Sequence, residues 1–413
     1  MYHRILIALF CSTFLIGCSK DEEPYQELMV SADETFLYED VYGYVFLQEA
    51  NESKTEFHSI ANSETVYFKT LASKDYHLTY FTVYKYPSYD RILLTTYTHV
   101  KPEGEIILGL GNERPISPAA DGTFTVTVSD KNGEVMDPIA SSSFGSSNSS
   151  VSYSNGNAVV EVFYFPTSEK YLISAKGADG INKFKYLSGV EKGGFYTIDI
   201  DEMSLFDQSV EWDLSSYEAV YTSTFSLSPQ SAFNEEGYQT SLNEYEKFKE
   251  KFPGSPVTLS YPNGYQRYLT YLELYHKAGS DQGRTMLSKY GGLPDPLQFL
   301  PSDQNIEVSK TSISDFEFTP LPWSNQWSAI FAFNSNGNRR ILWSVSGEVS
   351  SFKLVIPEEL KNMYPEFERL EDFEKGPILS KLHSQSYKES LRSIFYRGQQ
   401  KLDFQEIQYM LTY

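Results

Sequence analysis

Once past its first two dozen positions, the chain is dominated by alternation of apolar and polar residues. Residues 65–70, 76–84, 92–100 and 105–110 read with a period of two, separated by Asn/Ser, Pro87-Ser88 and Pro102-Glu103-Gly104. That period places successive side chains on opposite faces of a strand, so 27–118 predicts short strands stacked as a sandwich. Arg114-Pro115-Ile116-Ser117-Pro118-Ala119-Ala120 then interrupts the pattern and is expected to be a linker.

Alternation resumes at 122–129 and runs into Asp130-Lys-Asn-Gly133, where Asn132 and Gly133 suit positive φ. A Ser-rich stretch, 141–152, leads to Asn155-Gly156, then a valine-rich strand ending at Phe163 and another at 171–177. Strands are expected at 195–200 and 220–227. Residues 241–252 read differently: Ser241 with Glu244 three positions on is a capping box, and Pro253-Gly254 is a stop, which together predict a helix. Residues 265–275 alternate again, with Tyr265, Leu269, Tyr271, Glu273 and Tyr275 on one side. A hairpin of 327–334 and 339–346 turns through Asn336-Gly337. It is followed by a strand at 351–356 and a helix at 358–363 opened by Pro357. Residues 380–397 suit helix or strand equally.

The first seventeen residues belong to no fold element. Met1-Tyr2-His3-Arg4 precedes an apolar run, Ile5 to Ile16, whose twelve residues span about 18 Å as a helix, short of the ~30 Å bilayer core. A short basic start, an apolar run and a small residue form the layout of a secretory signal. Leu15-Ile16-Gly17-Cys18 resembles the bacterial lipobox, with Ile16 in place of the usual small residue. That resemblance implies cleavage before Cys18 and a lipid on its thiol. Ser19-Lys20-Asp21-Glu22-Glu23 resembles the surface-export signal of Bacteroidota lipoproteins, which implies an outer-membrane anchor facing outward; the same residues also read as a solvated charged tether. The only other cysteine, Cys11, leaves with the signal, so the mature chain has no internal disulfide.

The segment from Gly122 to Gly177 resembles bacterial immunoglobulin-like domains of the invasin and intimin kind: strand, Asp-x-x-Gly turn, loop, Asn-Gly turn, valine-rich strand, then Tyr171-x-x-x-Ala175. Such modules imply spacing and presentation rather than catalysis. The expected fold is therefore mainly β: tandem immunoglobulin-like β-sandwich domains followed by a β-rich C-terminal domain with a few short helices. The expected division is a signal peptide at 1–17, an acylated cysteine and acidic tether at 18–26, sandwiches at 27–118 and 119–230, and the C-terminal domain at 235–413.

The formal charge of −21, with no Lys/Arg cluster, excludes nucleic acid and anionic lipid surfaces as partners of the body. Abundant rings, 32 Tyr and 28 Phe, fit a β core more readily than a glycan-stacking face. There is no nucleophile elbow, His-Glu-x-x-His, phosphate loop or dinucleotide fingerprint. His58, His77, His99, His276 and His383 are scattered without metal-ligand spacing, so no metal and no cofactor is expected. Asp199-Ile-Asp201-Glu202 lacks the spaced acids and glycine of a calcium loop and reads as a solvated strand end.

The candidate binding residues are Trp323 and Trp327, in Leu-Pro-Trp-Ser-Asn-Gln-Trp, together with Tyr271; each is read more readily as core than as an anchor. The expected function is a lipid-anchored cell-surface protein with a non-catalytic binding or adhesion role toward a glycan or an envelope protein. A surface polysaccharide hydrolase and a structural subunit of an envelope complex are the alternatives.

Overall fold

The structure is a computed structural model that describes residues 25–50, 52–109, 119–142, 145–212, 219–227, 239–248, 257–262, 267–275, 284–294, 306–335, 339–395 and 404–411. The fold is mainly β, with sheets stacked as sandwiches and a few short helices.

A sheet of twelve strands organises the molecule. From one edge, its order is Gln239–Phe248, Ala219–Leu227, Arg267–Tyr275, Arg284–Gly291, Phe404–Leu411, Glu374–His383, Gln326–Ser335, Arg339–Gly347, Asp90–Val100, Tyr76–Lys85, Val41–Glu49 and Thr55–Ile60. Every neighbouring pair is antiparallel except Arg339–Gly347 with Asp90–Val100, which run parallel with Arg339 opposite Asp90 and Ser346 opposite Tyr97. This seam corrects the expected division of the chain. Strands from 27–118 do form one side of a sandwich, but their sheet continues into the C-terminal region instead of closing at 118. Ala219–Leu227, placed by sequence in the second sandwich, also belongs to the large sheet, between Gln239–Phe248 and Arg267–Tyr275. Sequential strands usually pair with each other, and a parallel join between segments more than 240 residues apart leaves no local trace.

Both faces of the sheet are covered near the seam. On one face, Tyr25–Ala32 sits between Thr65–Leu71 and Glu105–Leu108; Leu28, Val30, Phe68 and Ile106 pack there with Val45, Leu47 and Leu78, and the Tyr387–Phe395 helix adds Leu391 and Phe395. On the other, Glu307–Ser312, Asp315–Thr319 and Ser351–Phe352 form a small sheet whose Phe316, Phe318 and Phe352 meet Phe81, Trp327, Phe331 and Trp343. Strands covered on both faces account for the near-continuous apolar stretch of 327–333 and for the burial of nearly every residue of 76–83, its threonines and histidine included.

The segment resembling an immunoglobulin-like domain is a two-sheet sandwich. Asn148–Ser154, Asn157–Phe163, Thr123–Ser129 and Phe195–Asp199 form one sheet, and Gly145–Ser146, Met136–Ser142, Lys170–Lys176, Asn182–Ser188 and Ser204–Leu205 the other. Phe124, Val126, Val128, Ala158, Val160 and Val162 alternate inward onto Tyr171 and Ile173, as the sequence pattern requires. Asn155 (φ 51°) and Gly156 (φ 79°) make the expected tight turn. The turn at 130–133 differs from expectation: neither Asn132 nor Gly133 takes positive φ, and Asp130 caps it by accepting from the Asn132 and Ala178 amides at 2.8 and 2.9 Å.

The helix expected over 241–252 is replaced by the Gln239–Phe248 strand, which pairs with Ala219–Leu227 through a register shift beside Phe225. A local capping box contributes on the order of 1 kcal/mol, less than the backbone pairing of a whole strand. Residues 380–397 contain both alternatives, ending the Glu374–His383 strand and then forming the Tyr387–Phe395 helix. Glu358–Met363 is helical as expected, whereas only Ser351–Phe352 of the expected 351–356 strand is extended in a sheet.

Candidate functional site

The two central N-terminal strands of the large sheet, Tyr76–Lys85 and Asp90–Val100, pair regularly until their far ends, where the register shifts between Tyr76 and Leu78. Tyr76 faces Val100 and Leu78 faces Tyr97, so His77 is opposed by two residues, Thr98 and His99. An extra residue of this kind bulges the strand and re-aims its side chain. The bulge brings two histidines together and leaves His99 at φ 56°, a conformation that L-residues adopt at a cost.

The two imidazoles meet edge to face, with centroids 5.2 Å apart and planes at 83°. His77 is 1% exposed. The His99 amide donates to His77 Nδ1 at 3.4 Å, which leaves the His77 proton on Nε2. Nε2 is itself buried, and the Ala50 carbonyl beside the ring acts as an acceptor that favours its proton. His99 Nδ1 is likewise buried without a partner. Burial first, and the neighbouring His99 second, push His77 down to about 3, and burial also lowers His99. Both rings are therefore neutral at physiological pH.

These rings line a cleft of about 620 Å³. Gln48, Ala50, Glu52 and Ser53 come from the end of Val41–Glu49 and the turn beyond it; Lys310, Asp315 and Glu317 come from the small sheet, and Val349 to Val355 closes the remaining side. Gln48 holds the two sides together. Its Nε2 donates to the Glu52 and Lys353 carbonyls at 3.0 and 3.1 Å, and its Oε1 accepts from the Val355 amide at 2.9 Å. On the opposite wall, Lys310 Nζ lies 3.3 Å from Asp315 and 3.0 Å from Glu317, and these hydrogen bonds raise the lysine.

His99 also lines a second cavity of about 410 Å³ against the Tyr387–Phe395 helix. Charged pairs frame it: Lys101 with Asp75 at 2.5 Å, and Glu103 with Lys388 and Arg392 at 2.7 and 3.3 Å. The lysine and arginine hold the Glu103 carboxyl below its usual range.

The structure distributes the sequence candidates elsewhere. Trp327 is fully buried; its indole donates to the Val349 carbonyl at 2.9 Å and its ring stacks on Phe352 at 5.6 Å, so it backs the cleft wall without reaching the cleft. Trp323 is half-buried against the same core. Tyr271 lies on the far half of the large sheet, where its hydroxyl donates to buried Glu273 at 3.1 Å, and Glu273 pairs with Arg284. These three residues do not converge. Cys18 and the export residues Ser19 to Glu23 lie outside the described residues, as does His276.

Asp199 accepts from the Asp201 amide at 3.1 Å, and Lys131 sits 2.7 Å from Asp199 and 4.0 Å from Asp201, so a side-chain cation occupies the place where calcium would bind. Among the described residues no group of three or more His, Cys, Asp or Glu is placed to hold a metal. Sequence reasoning missed the histidine pair because residues 77 and 99 meet only through strand pairing, and a bulge has no sequence signature there. No helix among the described residues is long and apolar enough to cross a membrane.

No family model matches the chain, and no curated protein matches it in sequence. Among solved structures, it is similar at a TM-score of 0.15 and 7% identity to the product complex of a multi-modular glycogen-degrading pneumococcal virulence factor, SpuA, over 76% of this chain and 39% of that one. The chain thus spans well under half of that protein, and the likeness is too slight to bear on fold or function.

Proposed function

We propose that the chain is a lipid-anchored protein of the outer membrane, exposed at the cell surface, that binds a glycan or envelope partner without catalysing its conversion. The lipobox-like Leu15-Ile16-Gly17-Cys18 and the following Ser19-Lys20-Asp21-Glu22-Glu23 support the anchor and the outward leaflet. One observation supports the binding role above the rest: a cleft of about 620 Å³ onto which polar side chains converge from separate segments, among them Gln48, Ser53, Lys310, Asp315 and Glu317. Clefts of roughly 300–1,000 Å³ lined by a few convergent polar groups are the usual form of small-ligand sites.

The hydrolase alternative draws on Asp315 and Glu317, two carboxylates on one wall. Lys310 clasps both, at 3.3 and 3.0 Å, so the two carboxylates are engaged with a side-chain cation on their own wall. The subunit alternative has no comparable feature among the described residues.

Protease shaving of intact cells, with a Cys18→Ala control, tests the anchor. Loss of a C-terminal tag from cells bearing the unmodified protein is expected, and protection of the tag would reject surface exposure. Pull-down from glycan and envelope extracts by the intact protein tests the binding role, and failure to retain any glycan or envelope component would reject it.

A further inference from the structure

A further cavity lies on the face of the large sheet opposite the histidine cleft. Along Tyr76–Lys85, Phe81 and Val83 point into the core shared with the small sheet, so Tyr80, Thr82 and Tyr84 point the other way. Register sets Thr95 beside Tyr80 and Leu93 beside Thr82 on the neighbouring strand. Over this floor stand Phe36, the end of Glu105–Leu108 and, from the Tyr387–Phe395 helix, Ile394 and Phe395; together they enclose about 340 Å³. Gly109, at φ 80°, completes one wall as bare main chain, since a Cβ there would lie 2.6 Å from Phe36 Cα.

The chemistry of the lining selects a ligand. Among the described residues none that lines it is Asp, Glu, Lys, Arg or His, whereas the other two cavities carry several of each sign. A charged molecule entering here would give up its hydration with no opposite charge to meet. The polar groups present are hydroxyls. That of Tyr80 is bonded to Thr95 and Tyr97, while no described residue engages those of Thr82 and Tyr84. Buried hydroxyls are normally hydrogen-bonded, and Thr82, 9% exposed, can take its partner from the cavity it lines.

The other walls are apolar, and so is the approach. Ile394 at the rim is exposed, and so is Leu342, the register partner of Leu93 across the parallel seam. At about 30 Å³ for each non-hydrogen atom, the volume admits on the order of ten of them. That is too few for an oligosaccharide, and a molecule with a hydroxyl on every carbon would leave most of them unmet against Phe36, Ile107 and Ile394.

We propose that this cavity binds a small, uncharged, predominantly apolar alcohol or phenol, its body against Phe36, Ile107 and Ile394 and its oxygen bonded to the Thr82 hydroxyl. The site goes beyond the binding role proposed above, because it lies on the other face of the sheet and depends on neither a lipid anchor nor a glycan.

The intact chain, with carbon-13-labelled isoleucine methyls and reconstituted in phosphatidylcholine nanodiscs, is titrated with phenethyl alcohol, phenylacetate, phenethylammonium, ethylbenzene and glucose. Protein-free discs correct for partition into lipid. We expect phenethyl alcohol to shift the Ile107 and Ile394 methyls while leaving Ile173 and Ile198 of the immunoglobulin-like sandwich in place. It should bind at least about tenfold more tightly than either charged analogue. Thr82→Val removes the hydroxyl at nearly constant shape and is expected to weaken phenethyl alcohol about five- to tenfold while leaving ethylbenzene unchanged. Should that variant fold poorly, Ile394→Trp fills the mouth from an exposed position and is expected to abolish binding of every ring compound. Equal binding of the charged analogues, preference for glucose, silence of all the ring compounds, or binding unchanged in Ile394→Trp would overturn the site. Phenethyl alcohol that binds as tightly to Thr82→Val as to the unmodified chain would overturn the part assigned to Thr82. Protease shaving and the extract pull-down decide the anchor and the glycan or envelope role separately.

Discussion

The indole N–H of Trp343 donates to Thr96 Oγ1 at 2.8 Å across the parallel seam, joining residues 247 positions apart in the chain. Thr96 is in turn 2.7 Å from the Thr79 hydroxyl, so a fully buried chain of three polar groups crosses from the C-terminal strands to the N-terminal ones. Around it Trp343 packs edge to face on Phe367. This cluster is where the two ends of the chain become a single sheet.

Trp343→Phe keeps most of the ring volume and loses the donor, and is expected to cost about 1–2 kcal/mol. Trp343→Ala leaves a cavity as well and is expected to cost about 3–5 kcal/mol. Urea denaturation midpoints check both, and an effect under about 0.5 kcal/mol for the alanine variant would contradict the tight packing of the seam.

Acid should destabilise the protein before its carboxylates titrate. His77 takes up a proton near pH 6.5 when unfolded but only near 3 when folded, so the unfolded state binds more protons between those values. Stability from this group is complete above pH 6.5 and falls as pH drops toward 3, with a slope of at most about 1.4 kcal/mol per pH unit. Thermal melts between pH 7 and 5 should show the loss, and His77→Phe should flatten it. A melting temperature that is constant over this range in the unmodified chain would refute the neutral buried ring.

Gln48 makes three hydrogen bonds to main-chain groups around the cleft, and Gln48→Leu would leave the Glu52 and Lys353 carbonyls and the Val355 amide unmet. We expect a loss of roughly 2–4 kcal/mol and faster hydrogen exchange at Val355. Unchanged exchange there would show that the segment holds its place without Gln48.

The two tryptophans proposed from sequence should behave as structural residues. Trp327→Phe is expected to cost about 1 kcal/mol through the lost bond to the Val349 carbonyl, and Trp327→Ala about 3–5 kcal/mol. Trp323→Ala, at a half-buried ring, should cost less than Trp327→Ala. Chemical denaturation orders the three, and a Trp323→Ala loss equal to that of Trp327→Ala would contradict their difference in burial.

What the sequence determined by itself is the set of local units whose side chains choose between two faces. The inward row Phe124, Val126 and Val128, the Asn155-Gly156 turn and the Trp327-to-Ser346 hairpin follow from alternation and from which residues tolerate positive φ. The mainly β character follows from the same pattern. Only the tertiary structure decided which strands are neighbours. The parallel join of Arg339–Gly347 to Asp90–Val100, the conversion of 239–248 from a plausible helix to a strand, and the meeting of His77 with His99 depend on pairing energies between distant segments. Such energies are set by the partner strand and by burial on both faces, and neither is encoded in the local residue order that periodicity reads.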